Sequence, residues 1–109
     1  MSTSAVVPVT IANGQTVSTA ADISEKIVTG IEMPAAFTGT ALTFQVASDS
    51  AGTFQILTKI DGTNYSVTVA AAKNVNIPAL DLAGWRFVKI VSGSAEGADR
   101  VINLMCRTF

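Results

Sequence analysis

Few side chains in this 109-residue sequence are placed to do chemistry. With no histidine, the usual general base and metal ligand are missing, and with them a Ser-His-Asp triad, a Cys-His dyad and most zinc sites. Cys106 is the single cysteine and alternates with Leu104 on what reads as the core face of a strand. It is expected to be a buried structural thiol behaving as a small hydrophobe, not a nucleophile. One cysteine closes no internal disulfide, which fits synthesis in a reducing compartment. The carboxylates Asp49, Asp61, Asp81 and Asp99 all stand in or beside predicted turns, where Asp is common because it bonds its own backbone. DSAGT and DGTN lack the dense ligand spacing of a calcium loop, and nothing marks a cleft for the carboxylate pair of a glycosidase. GSAEGAD, residues 93–99, is glycine-rich but joins two strands. It lacks the helix N-terminus a phosphate loop needs and reads as a flexible hairpin loop. The expectation is a chain with no catalytic residue, no metal ligand set and no cofactor.

Tyr65, Trp85 and the phenylalanines are the remaining candidates, as a stacking platform for sugar rings. One Trp and one Tyr are present, both in predicted strands with apolar neighbours, so core packing is the expectation. Arg86 points away from Trp85 if the strand is regular, and the two then share no pocket.

Period-two alternation positions these residues, in short runs separated by Gly, Asn, Asp, Ser or Pro. In VVPVTI, Val7, Val9 and Ile11 share a face, while Pro8 removes a ladder donor and points to an edge strand or an extended arm. KIVTGIEM sets Ile27, Thr29, Ile31 and Met33 against Lys26, Gly30 and Glu32. TALTFQVAS turns Leu42, Phe44 and Val46 inward. FQILTKI offers Phe54, Ile56 and Ile60, with Leu57 as an exception, and DGTN links it as a hairpin to YSVTV, where Tyr65, Val67 and Val69 share a face. Val75 and Ile77 alternate with asparagines after a turn at AAAK, and ALDLAG reads as one helical turn stopped by Gly84. RVINLMCRTF places Ile102, Leu104 and Cys106 inward, with Arg100 and Thr108 assigned to the other face and the C-terminus tied into a sheet. GWRFVKIVSGS, residues 84–94, is apolar on both faces: Trp85, Phe87 and Val91 on one, Val88 and Ile90 on the other.

About eight short strands in a chain of this size predict an all-β antiparallel sandwich, jelly-roll-like, with a small closed barrel as the other solution. Residues 1–14 read as an N-terminal arm or edge strand and residues 15–109 as a single sandwich domain. Hydrophobic residues make up 49% and charged residues 14%, against about 25% charged in an average domain. Such a surface is either neutral and wet or partly buried in an assembly, where charge is costly to desolvate. The net charge of -1, with scattered Lys and Arg, argues against nucleic acid as a partner. No apolar run is long enough to span a bilayer, and MSTSAVVPVT lacks the features of a secretory signal, so no membrane partner is expected.

The blocks ISEKIVTGIEMPAAFTGTALTFQVASDSAGTFQ, DGTNYSVTVAA, GWRFVKIVSGSAEGADR and INLMCRTF resemble a group of short bacteriophage virion proteins. The shared features are a strand ending in a Met-Pro turn, a Ser-Asp turn before an aromatic strand, and a Trp or Arg-aromatic strand closing on SG. The group resembles jelly-roll capsid decoration, or cement, proteins. That resemblance covers residues 20–109 and implies a non-enzymatic protein on the outside of a phage head, made in the host cytoplasm, whose partners are the major capsid protein and copies of itself. Similar sandwiches serve in tails and fibres, and a glycan-binding module is the alternative from another class. On this expectation the second apolar face of RFVKIVS is covered by the first strand folding back, by another subunit or by the capsid shell, which makes Val88, Ile90, Val7 and Val9 the candidate interface.

Overall fold

The computed structural model describes residues 2–109. These form nine strands: β1 (Ser4–Ile11), β2 (Ala21–Asp22), β3 (Lys26–Glu32), β4 (Ala41–Ala47), β5 (Gln55–Ile56), β6 (Ser66–Thr68), β7 (Asn74–Asn76), β8 (Phe87–Ser92) and β9 (Arg100–Thr108). One sheet has the order β1-β9-β3-β7; the other runs β2-β8-β4-β5, with β6 also on β4. All pairings are antiparallel. β5 and β6 lie one after the other along the same side of β4, opposite Gln45–Val46 and Ala41–Thr43. Taken as one interrupted edge, they give two four-stranded sheets in the jelly-roll order, the chain crossing between sheets at every connection except that from β4 to β5. The expected all-β antiparallel sandwich is therefore the fold.

Alternation decides which side chains meet between the sheets. Leu42, Phe44 and Val46 of β4 and Val88 and Ile90 of β8 are buried against Val9 and Ile11 of β1, Val28 and Ile31 of β3, and Ile102, Leu104 and Cys106 of β9. β1 is an edge strand, with Pro8 opposite Asn103. The backbone N–H and C=O of Thr10 turn away from β9 to bond Thr19, at 3.0 and 2.9 Å. Pro8 has the same parity, so its missing donor costs the β1–β9 ladder nothing.

The structure corrects five local expectations. In β3 the register shifts between Val28 and Gly30, so Thr29 is an extra, bulged residue and the core set is Val28 and Ile31; Ile27 and Thr29 are only half-buried. A single inserted residue reverses parity, which period-two counting cannot anticipate. In FQILTKI only Gln55–Ile56 pairs with β4, and Leu57 turns toward the core while Ile56 and Ile60 are exposed. Residues 57–65 leave the sheet as a tight excursion closed by the Thr58–Asn64 bridge, with Asp61–Gly62 at its tip and Gly62 at φ +86°. The expected helical turn at ALDLAG is a series of turns, Asp81 N–H to Pro78 O and Trp85 N–H to Leu82 O, with Leu82 buried. Trp85 precedes β8 and is 39% exposed instead of packed in the core. Finally, Arg100 shares the parity of Ile102 and its side chain turns inward, to a partner described below.

Phe44 is fully buried, with its ring 5.5 Å from that of Tyr65, whereas the Lys89 ammonium rests 4.4 Å from the Phe54 ring centroid on the outer face. Phe44→Ala is expected to lower unfolding free energy by about 3–5 kcal/mol, and Lys89→Ala by about 0.5–1 kcal/mol. Equal losses in urea denaturation would mean that the inward faces are misassigned.

Candidate functional site

The four residues expected at an interface are, for the most part, core. Val88 and Ile90 are inaccessible between the sheets, and Val9 is buried with them. Val7 is half-buried against the same cluster. These positions are unavailable for docking, because alternation turns them toward the facing sheet and not toward solvent. The other side of β8 carries Phe87, Lys89 and Val91, all half-buried. It is covered locally, by the Arg86 guanidinium 5.7 Å above the Phe87 ring and by Lys89 lying on Phe54. Thus the Val88–Ile90 face is covered by the facing sheet, and on the other side of β8 the chain's own cations lie over Phe87 and Phe54.

The most organised polar group is Glu96, within the loop expected to be flexible. Its side chain is buried and its carboxylate accepts four hydrogen bonds: from Thr38 N–H at 2.9 Å, Gly39 N–H at 3.2 Å, the Ser92 hydroxyl at 3.1 Å and Arg100 Nε at 3.0 Å. Its backbone is held as well, N–H to Gln15 O at 3.1 Å and C=O from Gly14 N–H at 2.7 Å. Gly39 must be glycine for this approach, since a Cβ there would come within 2.5 Å of the Ser92 hydroxyl oxygen. Burial alone would push the Glu96 carboxyl up, but the hydrogen bonds from Thr38, Arg100, Ser92 and Gly39 together hold it below the ordinary glutamate value. The arrangement ties three connections, 12–20, 33–40 and 93–99, into one end of the sandwich. Its acceptor sites are all taken by donors of the protein, so it is a structural clasp, not a general acid. The sequence did hold a signal: an arginine at the inward parity of β9 requires a buried acid, and Glu96 is four residues before it.

The turn carboxylates are held by backbone and hydroxyl donors, local for Asp49 and Asp61 but from a distant loop for Asp99. Asp49 accepts from Ala51 N–H at 2.9 Å, Asp61 from Thr63 N–H at 3.0 Å and its hydroxyl at 2.6 Å, and Asp99 from Asn13 N–H at 2.8 Å. The Thr63 hydroxyl, then its amide, hold Asp61 below the usual carboxylate range. Among the described residues no three metal-ligating side chains gather. Cys106 is buried, and burial raises its thiol above the ordinary value, so it stays protonated and unreactive.

Apolar surface is concentrated elsewhere. Ile60 stands fully exposed in the excursion and Leu80 is 85% exposed. Between excursion and turn lies an open groove of about 300 Å³ lined by Leu57, Thr58, Lys59, Ile60, Tyr65 and Asp81. The Tyr65 hydroxyl donates to Asp81 Oδ2 at 2.7 Å. Desolvation, then that bond and the Asp81 charge, hold the phenol protonated far above its ordinary value. Tyr65 is thus a strut between Phe44 and the 79–84 turn. On the outer face of the first sheet, Val6 and Val101 are about half exposed.

With this geometry in view, comparison with known proteins adds little. No protein-family model and no curated protein matches the chain. One solved structure, a chain of Bacillus endospore appendages described as a novel family of disulfide-linked pili, aligns over 99% of this chain and 86% of its own at 15% identity, with a TM-score of 0.44. That likeness is too distant to bear on function.

Glu96→Gln leaves Arg100 without its counter-charge and sets an amide against backbone donors, so it is expected to cost about 3–5 kcal/mol. Because the folded carboxyl titrates below its unfolded value of about 4.3, the clasp's contribution is complete above that pH and falls away as pH drops through the lower folded value. Acid titration of unfolding should therefore show wild type and Glu96→Gln converging toward low pH. Parallel curves would mean that the charge of Glu96 carries none of the stability.

Proposed function

We propose that the chain is a non-enzymatic structural protein that works by docking, and that it decorates a phage capsid, binding the outer head surface beside the major capsid protein and further copies of itself. The observation that carries the docking reading is the pair of exposed aliphatic side chains, Ile60 and Leu80, at the excursion and the 79–84 turn, in a chain with few charges. Apolar atoms presented on a charge-poor surface desolvate cheaply, and an interface of standard size takes about 800 Å² from each partner. The capsid as the partner rests on the sequence resemblance of residues 20–109. Repetition on a lattice supplies avidity, so individually weak contacts suffice. A glycan-binding module is the second reading, favoured by the exposed indole of Trp85.

Purified chain is expected to co-sediment with undecorated phage heads, and Ile60→Asp or Leu80→Asp to reduce the bound fraction with an unchanged circular dichroism spectrum. Absence of binding to heads, together with Trp85 fluorescence that responds to added sugars, would replace the capsid reading by the glycan one.

A further inference from the structure

We infer that two copies of this chain associate through the open half of the β1 edge, pairing Ser4–Val6 of one copy antiparallel with Ser4–Val6 of the other. The inference rests on the docking reading and adds to it the surface and the partner.

β1 is the one long edge among the described strands. It has eight residues, against two in β2, two in β5, and three each in β6 and β7. Within it, alternate residues turn their N–H and C=O away from β9. Thr10 does so toward Thr19, and Thr3 turns the other way, its C=O accepting from Thr108 N–H at 2.8 Å. Parity therefore assigns the outward backbone groups to Ser4, Val6, Pro8 and Thr10. Those of Thr10 are occupied by Thr19, and Pro8 has no N–H. What remains open is Ser4 and Val6, whose outward groups have no partner among the described residues.

Natural edges of this kind are commonly guarded by charge, Lys above all. Here no Asp, Glu, Lys or Arg occurs before Asp22, so two copies meet without like-charge repulsion between side chains. Facing Ser4 of one copy with Val6 of the other makes two hydrogen-bonded pairs around a two-fold axis through Ala5, each exchanging both backbone bonds. Neither pair calls on Pro8. The next outward position is Pro8 itself, which has no donor and limits how far the ladder extends. The pairing would also cover Val6, 54% exposed, and join two four-stranded sheets across the axis.

The test is sedimentation equilibrium of the full chain over a range up to millimolar concentration, with amide hydrogen exchange read at Ser4 and Val6. Wild type is expected to form a dimer in which both amides gain protection as concentration rises. Val6→Pro removes an outward donor without touching the β9 ladder, and Val6→Lys adds like charge; both should be monomeric with unchanged circular dichroism. Pro8→Val restores a donor and should strengthen the dimer. A chain that stays monomeric throughout, or a dimer whose Ser4 and Val6 amides exchange freely and which survives both Val6 variants, overturns the proposal. Either outcome leaves co-sedimentation with heads as a separate measurement, so this inference and the docking reading fail independently.

Discussion

The first sheet exists because β9 lies between β1 and β3. Every other strand of that sheet either pairs with β9 directly or, like β7, hangs on β3. The contacts that hold it join the last residues of the chain to the first, Ser4 to Arg107 and Ile11 to Arg100. Ile102, Leu104 and Cys106 are the middle of the layer that faces the second sheet, between Val9 and Ile11 of β1 and Val28 and Ile31 of β3. Long-range pairing of this kind charges the full loop-closure entropy before any contact rewards it, which makes such topologies slow to fold.

Placing β9 depends in turn on how the chain enters it. The connection from β8 contains Glu96, and its carboxylate gathers amides from 38–39, a hydroxyl from Ser92 and the guanidinium of Arg100, the first residue of β9. A carboxylate at that depth is tolerable only because each desolvated lone pair finds a donor. The same residue's peptide group holds 14–15, so the connection out of β1 is fixed by the group that admits β9 beside it. One residue, through its side chain and its backbone, thereby coordinates both strands of the longest-range pair.

The fold was legible in the sequence wherever alternation ran unbroken: β4, the inward residues of β9 and the Tyr65–Val67–Val69 face all follow from period two. It was illegible where one residue changed parity or left the sheet, as at the Thr29 bulge and at Leu57. The candidate site was read less well. Val88 and Ile90 looked like an unpartnered face because the sequence of β8 does not reveal that, on the opposite one, the charge of Arg86 lies over Phe87 and that of Lys89 over Phe54. Glu96 was passed over because glycines on both sides suggested mobility, whereas the loop conformation serves to bring a carboxylate inward. Trp85 follows the same lesson, since its apolar neighbours belong to a strand that begins only after it.

Residues 57–65 depart from the edge of β4 and return to that edge a few residues further along, with Leu57 N–H still bonded to Phe44 O and Tyr65 N–H to Leu57 O at the neck. Nothing beyond the neck contributes to either ladder. Lengthening a surface connection costs only the slow logarithmic increase of chain-closure entropy, and exposed tips are where foreign sequence is best accepted. The Asp61–Gly62 tip is therefore the natural graft point of this scaffold, a place where a peptide epitope or a tag can be displayed outward while the two layers beneath keep their register.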